Sequence, residues 1–441
     1  MSETTEPSLE EKRRQLAALL RVRRQKDVQV ASVAAATAAP SVSLEIPESF
    51  RQQRERFQGL GITLPFFRHM DGYSSPSCSM EGQPAVNFSC YNYLGLADDP
   101  RVCAAARTAI DTYGTSVSAS RIASGERPFH RALERDLAAL TGAEDALVFV
   151  SGFGTNETVI SHLLGPGDLI VHDDLIHSSV LQGALASGAR RMDFRHNDLD
   201  DLEQLLSRNR GQYHQCLIVV EGLYSMDGDI PDLSRLVAIK DRHHAALMVD
   251  EAHSVGVLGE TGRGLAEFCG VDAGAVELWM GTLSKSLASC GGYIAGAAPL
   301  IEYLRYSVPG FVYSVGITPA NAAAAGAALE TMLREPDRVT RLHLNADSFL
   351  AKAHALGLET GLEQAYAVVP VMVGDEELAV RLSAGLLEQG VDVQAAIFPA
   401  VPEGQARLRF FITSEHSAQQ IDEALTKAAH TLAELRLQQG G

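Results

Sequence analysis

Between Asn87 and Gly296 the chain sets short, mostly apolar runs at intervals, and each gives way to a polar or glycine-rich turn: "ALVFV", "DLIVH", "RRMDF", "CLIVV", "AALMVD" and "VELWM". Runs of this length are too short for helices and fit strands covered on both faces, while the stretches between them can hold crossover helices. The pattern predicts an α/β fold built on a large, doubly wound, mostly parallel sheet. In such sheets ligands collect at the carboxyl ends of the strands. The residues that follow each run are therefore the candidates for chemistry.

After Pro370 the texture shortens to strand "VVPVMV", helix "DEELAVRLSAGLLEQG", strands "VDVQAAI" and "ARLRFFI", and a last helix from Ser417. Leu378, Leu382 and Leu386 share one face of the first helix, and Gly390 suits its stop. This is a smaller α+β domain. The divisions expected are an N-terminal helical arm and linker (1–46), an N-terminal segment of the small domain (47–86), a large domain (87–318), and a C-terminal small domain with its connecting helix (319–441).

A chain of 441 residues with 46% hydrophobic and 21% charged residues can bury a sizeable core. The net charge of −18 lacks the footprint of a nucleic-acid binder. Six scattered cysteines form no CxxC pair, which argues against a zinc site or a disulfide framework and for a reducing, cytoplasmic setting. The start "MSETTEPSLEEKRRQ" has no signal-peptide core, and no run approaches membrane-spanning length. Ser8 and Glu11 have capping-box spacing before Leu16, Leu19 and Leu20. Residues 1–26 carry seven Lys/Arg against four Asp/Glu, a basic arm on an acidic protein. Such an arm serves as a docking element or as a frayed extension with no role.

Four turns stand out. "SGFGTNETVIS" opens a helix with small residues whose free N–H groups suit a phosphate, although Gly-Phe-Gly serves equally as a tight turn. "DDLIHSSVLQG" places His177 at a helix start, where imidazole is more often structural but can stack on a flat ligand. In "DEAHSVG" Asp250 and His253 lie three apart, and Asp250 can cap a helix or meet a ring nitrogen; a metal reading lacks a second group of ligands. "MGTLSKSLASCGG" puts Lys285 among uncharged residues just past a buried run, where desolvation lowers an amine's pKa and frees it as a nucleophile. Phosphate cradle, ring stacker, buried carboxylate and activated lysine together match pyridoxal 5'-phosphate (PLP) held as a Schiff base.

From "NFSCYNYLGLADDP" to "ARLRFFITSEH" the chain resembles the α-oxoamine synthase family of fold-type-I PLP enzymes; "SGFGTN", "HDDLIHSS", "EGLYSMDGD", "VDEAHSVGVLGETGRG" and "GTLSKSLASCGGYIAG" occur in the family's order. The Tyr-Asn-Tyr-Leu-Gly order resembles the serine palmitoyltransferase branch more than the Asn-Asp-Tyr form of the biotin and haem enzymes. The resemblance implies that Lys285 forms the Schiff base, His177 stacks on the pyridine ring, and Asp250 pairs with its nitrogen. It also implies that His253 and Ser225 address the phenolic oxygen. Ser151, Gly152, Phe153, Gly154, Thr282 and Ser284 would hold the phosphate, with Ser314 reaching it across a homodimer interface. Arg409 would clamp the amino acid's carboxylate, with Tyr91 and Asn92 nearby, a role for which a planar guanidinium is suited.

The implied reaction joins an α-amino acid to an acyl thioester with loss of carbon dioxide, giving an α-amino ketone. Ser120, just before Arg121, lies near the position that limits glycine-only enzymes, so serine or alanine is favoured over glycine. "TSVSASRIASGERPFHRALE" resembles synthase domains that serve polyketide or peptide assembly lines. The expected acyl donor is accordingly an acyl-carrier protein, docked by the basic arm, with acyl-CoA as the alternative. Other fold-type-I reactions, amino transfer or side-chain cleavage, share the cofactor residues; only "YNYLGL" and "ARLR" separate them from condensation. A non-catalytic partner subunit is disfavoured because Lys285, Asp250 and His177 are all present.

Overall fold

Glu81 and Gly82 both take positive φ, 50° and 80°, the combination that a two-residue turn needs to match the twist of a hairpin. They join the first strands in a computed structural model that describes residues 47–59, 66–362 and 364–439. The chain divides into two units, 1–56 and 57–441. Of the first, only the start of a helix, α1 (Glu48–Gly59), is described. The arm expected over 1–46 lies outside the described residues.

In the second unit, β1 (Met70–Asp71), β2 (Ser77–Met80) and β3 (Gln83–Asn87) form an antiparallel meander. Two helices follow, α2 (Pro100–Tyr113), capped by the Asp99 carboxylate, and α3 (Pro128–Thr141), which ends on left-handed Gly142. Proline in the first turn of each costs nothing, since that N–H has no helical partner.

The alternation predicted from the sequence then unfolds in order. It runs β4 (Asp145–Phe149), α4 (Gly152–Leu163), β5 (Leu169–Asp173), α5 (Ser178–Ser187), β6 (Arg190–Phe194), α6 (Leu199–Asn209), β7 (Cys216–Glu221), α7 (Leu233–Arg242), β8 (Ala246–Asp250), β9 (Leu278–Thr282) and β10 (Gly292–Gly296). The seven strands lie in the order β4-β10-β9-β8-β7-β5-β6. All neighbours are parallel except that β10 runs antiparallel to both β4 and β9. The stretch "GGYIAG" is thus an internal strand.

Consecutive residues separate onto two cores. Leu169, Val171, Ile218, Val220, Leu247 and Val249 face one, and Ile170, Leu217, Val219 and Met248 face the other. Each such side chain stabilises the fold by about 1.5–3 kcal/mol. The "RRMDF" strand departs from the buried pattern because β6 is the sheet edge, so Arg190, Arg191 and Asp193 reach solvent.

After α8 (Ala298–Ser307), two long helices, α9 (Pro319–Arg334) and α10 (Asp337–Ala355), lead to β11 (Val368–Gly374) and α11 (Glu376–Glu388). "VDVQAAI", expected as one strand, is two. β12 (Val391–Asp392) pairs parallel with β3, and β13 (Gln394–Ala396) pairs with β14 (Ala406–Phe411), which also pairs with β11. The chain changes sheets at buried Val393. Helix α12 (Ala418–Gln439) closes the chain. All six cysteines are unpaired.

Candidate active site

Where β4 ends, Ser151 keeps an extended backbone as the cap of α4, and its hydroxyl accepts Gly154 N at 3.1 Å. A Cβ on Gly152 would lie 2.8 Å from Thr282 Oγ1, and one on Gly292 would lie 2.6 Å from the Gly152 Cα. Glycine at both positions lets the start of α4 press against β9 and β10. Thr282 Oγ1 meets Ser284 Oγ at 2.8 Å and the Gly291 carbonyl at 3.1 Å. Free N–H groups at a helix N-terminus beside two hydroxyls form a cradle for an anion.

Beside it lies a cavity of about 320 Å³ whose wall includes Ser151, Asn156, His177, Asp250 and Lys285. Asp250, 4% exposed at the end of β8, accepts Asn156 Nδ2 at 2.7 Å and Ala252 N at 3.0 Å. Asn156 also reaches Ser179 Oγ at 2.9 Å, and that hydroxyl lies 2.6 Å from His177 Nδ1 at the cap of α5. One polar chain therefore links the carboxylate to the imidazole. Asn156 Oδ1 is buried and has no partner among the described residues.

Burial pulls the Lys285 amine down to about 8, against the pull of Asp250 and Glu221. Glu221, 3% exposed at the end of β7, is pushed up to about 8 by burial and by the neighbouring Asp250 charge. Its Oε2 accepts Ser225 N at 3.1 Å and its Oε1 has no partner. His253 Nδ1 lies 2.7 Å from the Tyr93 hydroxyl. Burial first, then the Lys285 and Arg409 cations, hold its pKa well below the usual histidine range, so this imidazole is neutral.

On the β14 side, Arg409 donates from Nη1 to the Ser225 carbonyl at 3.0 Å and stacks over Phe411, 4.6 Å from the ring centroid. Its Nε is buried without a partner. Tyr91 meets Phe411 edge-on at 4.7 Å, and Lys285 Nζ sits 5.7 Å from the Tyr91 centroid. Arginine, aromatic pair and lysine thus form one continuous wall.

The structure gathers Ser151, Gly152, Phe153, His177, Asp250, His253, Thr282, Ser284 and Lys285 around the cavity, with Gly154 in the same helix turn. Tyr91 and Arg409 adjoin it through the Phe411 wall, but Asn92, Ser120, Ser314 and Ser225 are not brought there. Asn92 spends its side chain on backbone groups, donating to Ser74 O and accepting Leu96 N and Ala97 N. Ser120 caps the turn over Arg121–Gly125. Ser314 bonds the Val315 carbonyl in a segment where Tyr313 is 86% exposed. Ser225 stands behind Arg409 rather than on the cavity wall. Sequence reasoning assigned no role to Asn156, Ser179, Glu221 or Tyr93. Asn156 and Glu221 lie within the quoted motifs, Glu221 at the strand end where ligands gather, and that position was the available signal.

An anion cradle, a buried carboxylate beside an unpartnered amide oxygen, and a lysine with a lowered pKa fit the phosphate, ring and aldehyde of PLP. The aminotransferase class I and II family model matches residues 83–427. An 8-amino-7-oxononanoate synthase of Symbiobacterium thermophilum is 42% identical over 87% of this chain and 98% of its own. One from Bacillus subtilis is 38% identical over 84% and 94%. Among solved structures, a serine palmitoyltransferase of S. paucimobilis with a bound PLP–myriocin aldimine superposes with a TM-score of 0.85 at 31% identity, covering 88% of this chain and 98% of that one. The Sphingomonas wittichii enzyme gives 0.84 at 34%, over the same shares. The fold is that of the fold-type-I PLP enzymes, a PLP-dependent family. The chain belongs to the aminotransferase class I and II family and, within it, to the α-oxoamine synthases.

Proposed function

We propose that this chain condenses a small α-amino acid, alanine or serine, with an acyl thioester, releasing carbon dioxide and a free thiol and leaving an α-amino ketone. The observation that carries the reading is Arg409. A guanidinium braced by the Ser225 carbonyl and stacked on Phe411, with a buried Nε that has no partner among the described residues, is suited to take a planar anion. A substrate carboxylate there lies on the same wall as Lys285.

Lys285 would hold the cofactor covalently, and the start of α4 with Thr282 and Ser284 would hold its phosphate. Asp250, kept in place by Asn156, would pair with the ring nitrogen, while His177 would cover the ring face and neutral His253 would serve the phenolic oxygen. PLP bound there supplies the electron sink that makes the amino acid's Cα–H acidic. The Lys285 amine, its pKa lowered by burial, would take the Cα proton. The new C–C bond forms at the thioester carbonyl, the C–S bond breaks, and carbon dioxide leaves from the former amino-acid carboxyl.

The relatives' names support the substrate class. An 8-amino-7-oxononanoate carries its amino group beside a ketone and ends in a methyl carbon, which dissects into alanine less carbon dioxide and a seven-carbon acyl unit. Serine palmitoyltransferase names the other small amino acid. A carrier-protein donor rests on the basic 1–26 arm and the 115–134 stretch. A shared, homodimeric site is supported by the exposed Tyr306, Tyr313 and Val315 around Ser314. A panel of amino acids against acyl-carrier and acyl-CoA donors, with products identified by mass spectrometry, tests the proposal. Condensation with alanine or serine is expected, with carrier-bound donors losing rate when residues 1–40 are removed. Equal rates with acyl-CoA and no effect of the deletion exclude the carrier.

A further inference from the structure

The ends of β5, β6 and β7 are tied together by a charged cluster outside the cavity wall. Asp173, fully buried, accepts four hydrogen bonds. Leu175 N and His196 Nδ1 reach its Oδ1, both at 2.9 Å, and Asn197 N at 2.9 Å and the Tyr224 hydroxyl at 3.0 Å reach its Oδ2. His196 continues through Nε2 to Asp229 Oδ2 at 3.0 Å, and Asn197 Nδ2 donates to the same oxygen. Each imidazole nitrogen faces a carboxylate, and a neutral ring can donate from only one of them. Burial alone would lower the His196 pKa, but the bonds to Asp173 and Asp229 reverse this and raise it to about 10. Asp174, the other acid grouped with His196 and Asp173, adds to the negative surroundings. With a carboxylate on each nitrogen, this part-buried imidazole is held in its cationic form across neutral pH.

What this cation holds is the loop 222–229. Tyr224 is fixed by its hydroxyl on Asp173, by its ring edge-on to His196 at 4.5 Å, and by its N–H on the Asp229 carbonyl at 2.9 Å. The next residue, Ser225, supplies the carbonyl that braces Arg409. We propose that His196 is a positioning residue for the amino-acid carboxylate. Its charge draws Asp173 and Asp229 together, which fixes Tyr224 and with it the Ser225 carbonyl that aims Arg409. This rests on the reading of Arg409 as the carboxylate clamp.

The test is a double-variant cycle on the PLP-loaded enzyme. His196→Gln should raise the KM for the amino acid about tenfold while kcat and the acyl-donor KM change less than threefold. Arg409→Lys should raise the same KM at least tenfold, and the double variant should exceed Arg409→Lys by no more than about twofold. Multiplicative effects of the two substitutions, or an unchanged KM in His196→Gln while Arg409→Lys is impaired, overturn the positioning role and leave the clamp intact. An unchanged KM in Arg409→Lys overturns the clamp itself. Should His196→Gln fail to fold, Tyr224→Phe removes only the hydroxyl tie. A KM rise of threefold or more then supports the inference, and a smaller change overturns it.

Discussion

Lys285 sits where a cation is disfavoured, which is what an amine that must react as a neutral base requires. With its pKa lowered to about 8, the neutral fraction rises with pH and levels off above pH 9. Attachment of PLP to the cofactor-free protein, followed by visible absorbance, should therefore speed up about tenfold between pH 7 and pH 9 and then plateau. A rate still climbing steeply beyond pH 9 would mean an ordinary lysine. Lys285→Ala should lose the visible band; a band that persists would move the Schiff base elsewhere. At this scale the sequence was informative where a residue's meaning is its place at a strand end, as with Lys285, Asp250 and His177. It was silent where meaning depends on partners distant in the chain. Nothing around Asn156 announces that its amide meets Asp250, 94 residues on, and nothing around Asn92 announces that its side chain is consumed by Ser74, Leu96 and Ala97.

Among elements, the start of α4 is closely constrained. Gly152→Ala would drive a methyl to 2.8 Å from Thr282 Oγ1. We expect a stability loss of about 1–3 kcal/mol and PLP binding weakened by at least tenfold, measured by denaturation and by cofactor titration; wild-type affinity would show that α4 does not hold the phosphate. The loops after β5, β6 and β7 carry a second constraint. His196 has a folded pKa of about 10, against about 6.5 unfolded. The folded state alone keeps this proton between those values, so its stabilisation is complete below pH 6.5 and falls as pH rises towards 10. Replacing His196 by Gln should flatten the decline of Tm over that range by one proton's worth; an unchanged slope would mean a neutral ring. The alternation of β4 to β9 was legible because both faces of the sheet demand apolar residues. The edge place of β6, the reversed β10 and the break at Val393 were not, since strand order and sheet exchange leave no mark on local periodicity.

For the whole molecule, Tyr306, Tyr313 and Val315 leave apolar surface near Ser314 that a second copy would cover. Sedimentation should give twice the 47.3 kDa chain mass, and Val315→Asp should yield a monomer with little activity; a fully active monomer would remove Ser314 from the site. Among the described residues no helix is long and apolar enough to cross a membrane. Arg409 and Lys285 are proposed to act on one substrate to form a carbon–carbon bond, which is tested by incubating the PLP-loaded protein with carboxyl-labelled alanine or serine and an acyl thioester. Labelled carbon dioxide, free thiol and an α-amino ketone in equal amounts are predicted. A 2-keto acid formed without thiol release would contradict the account and identify amino transfer instead.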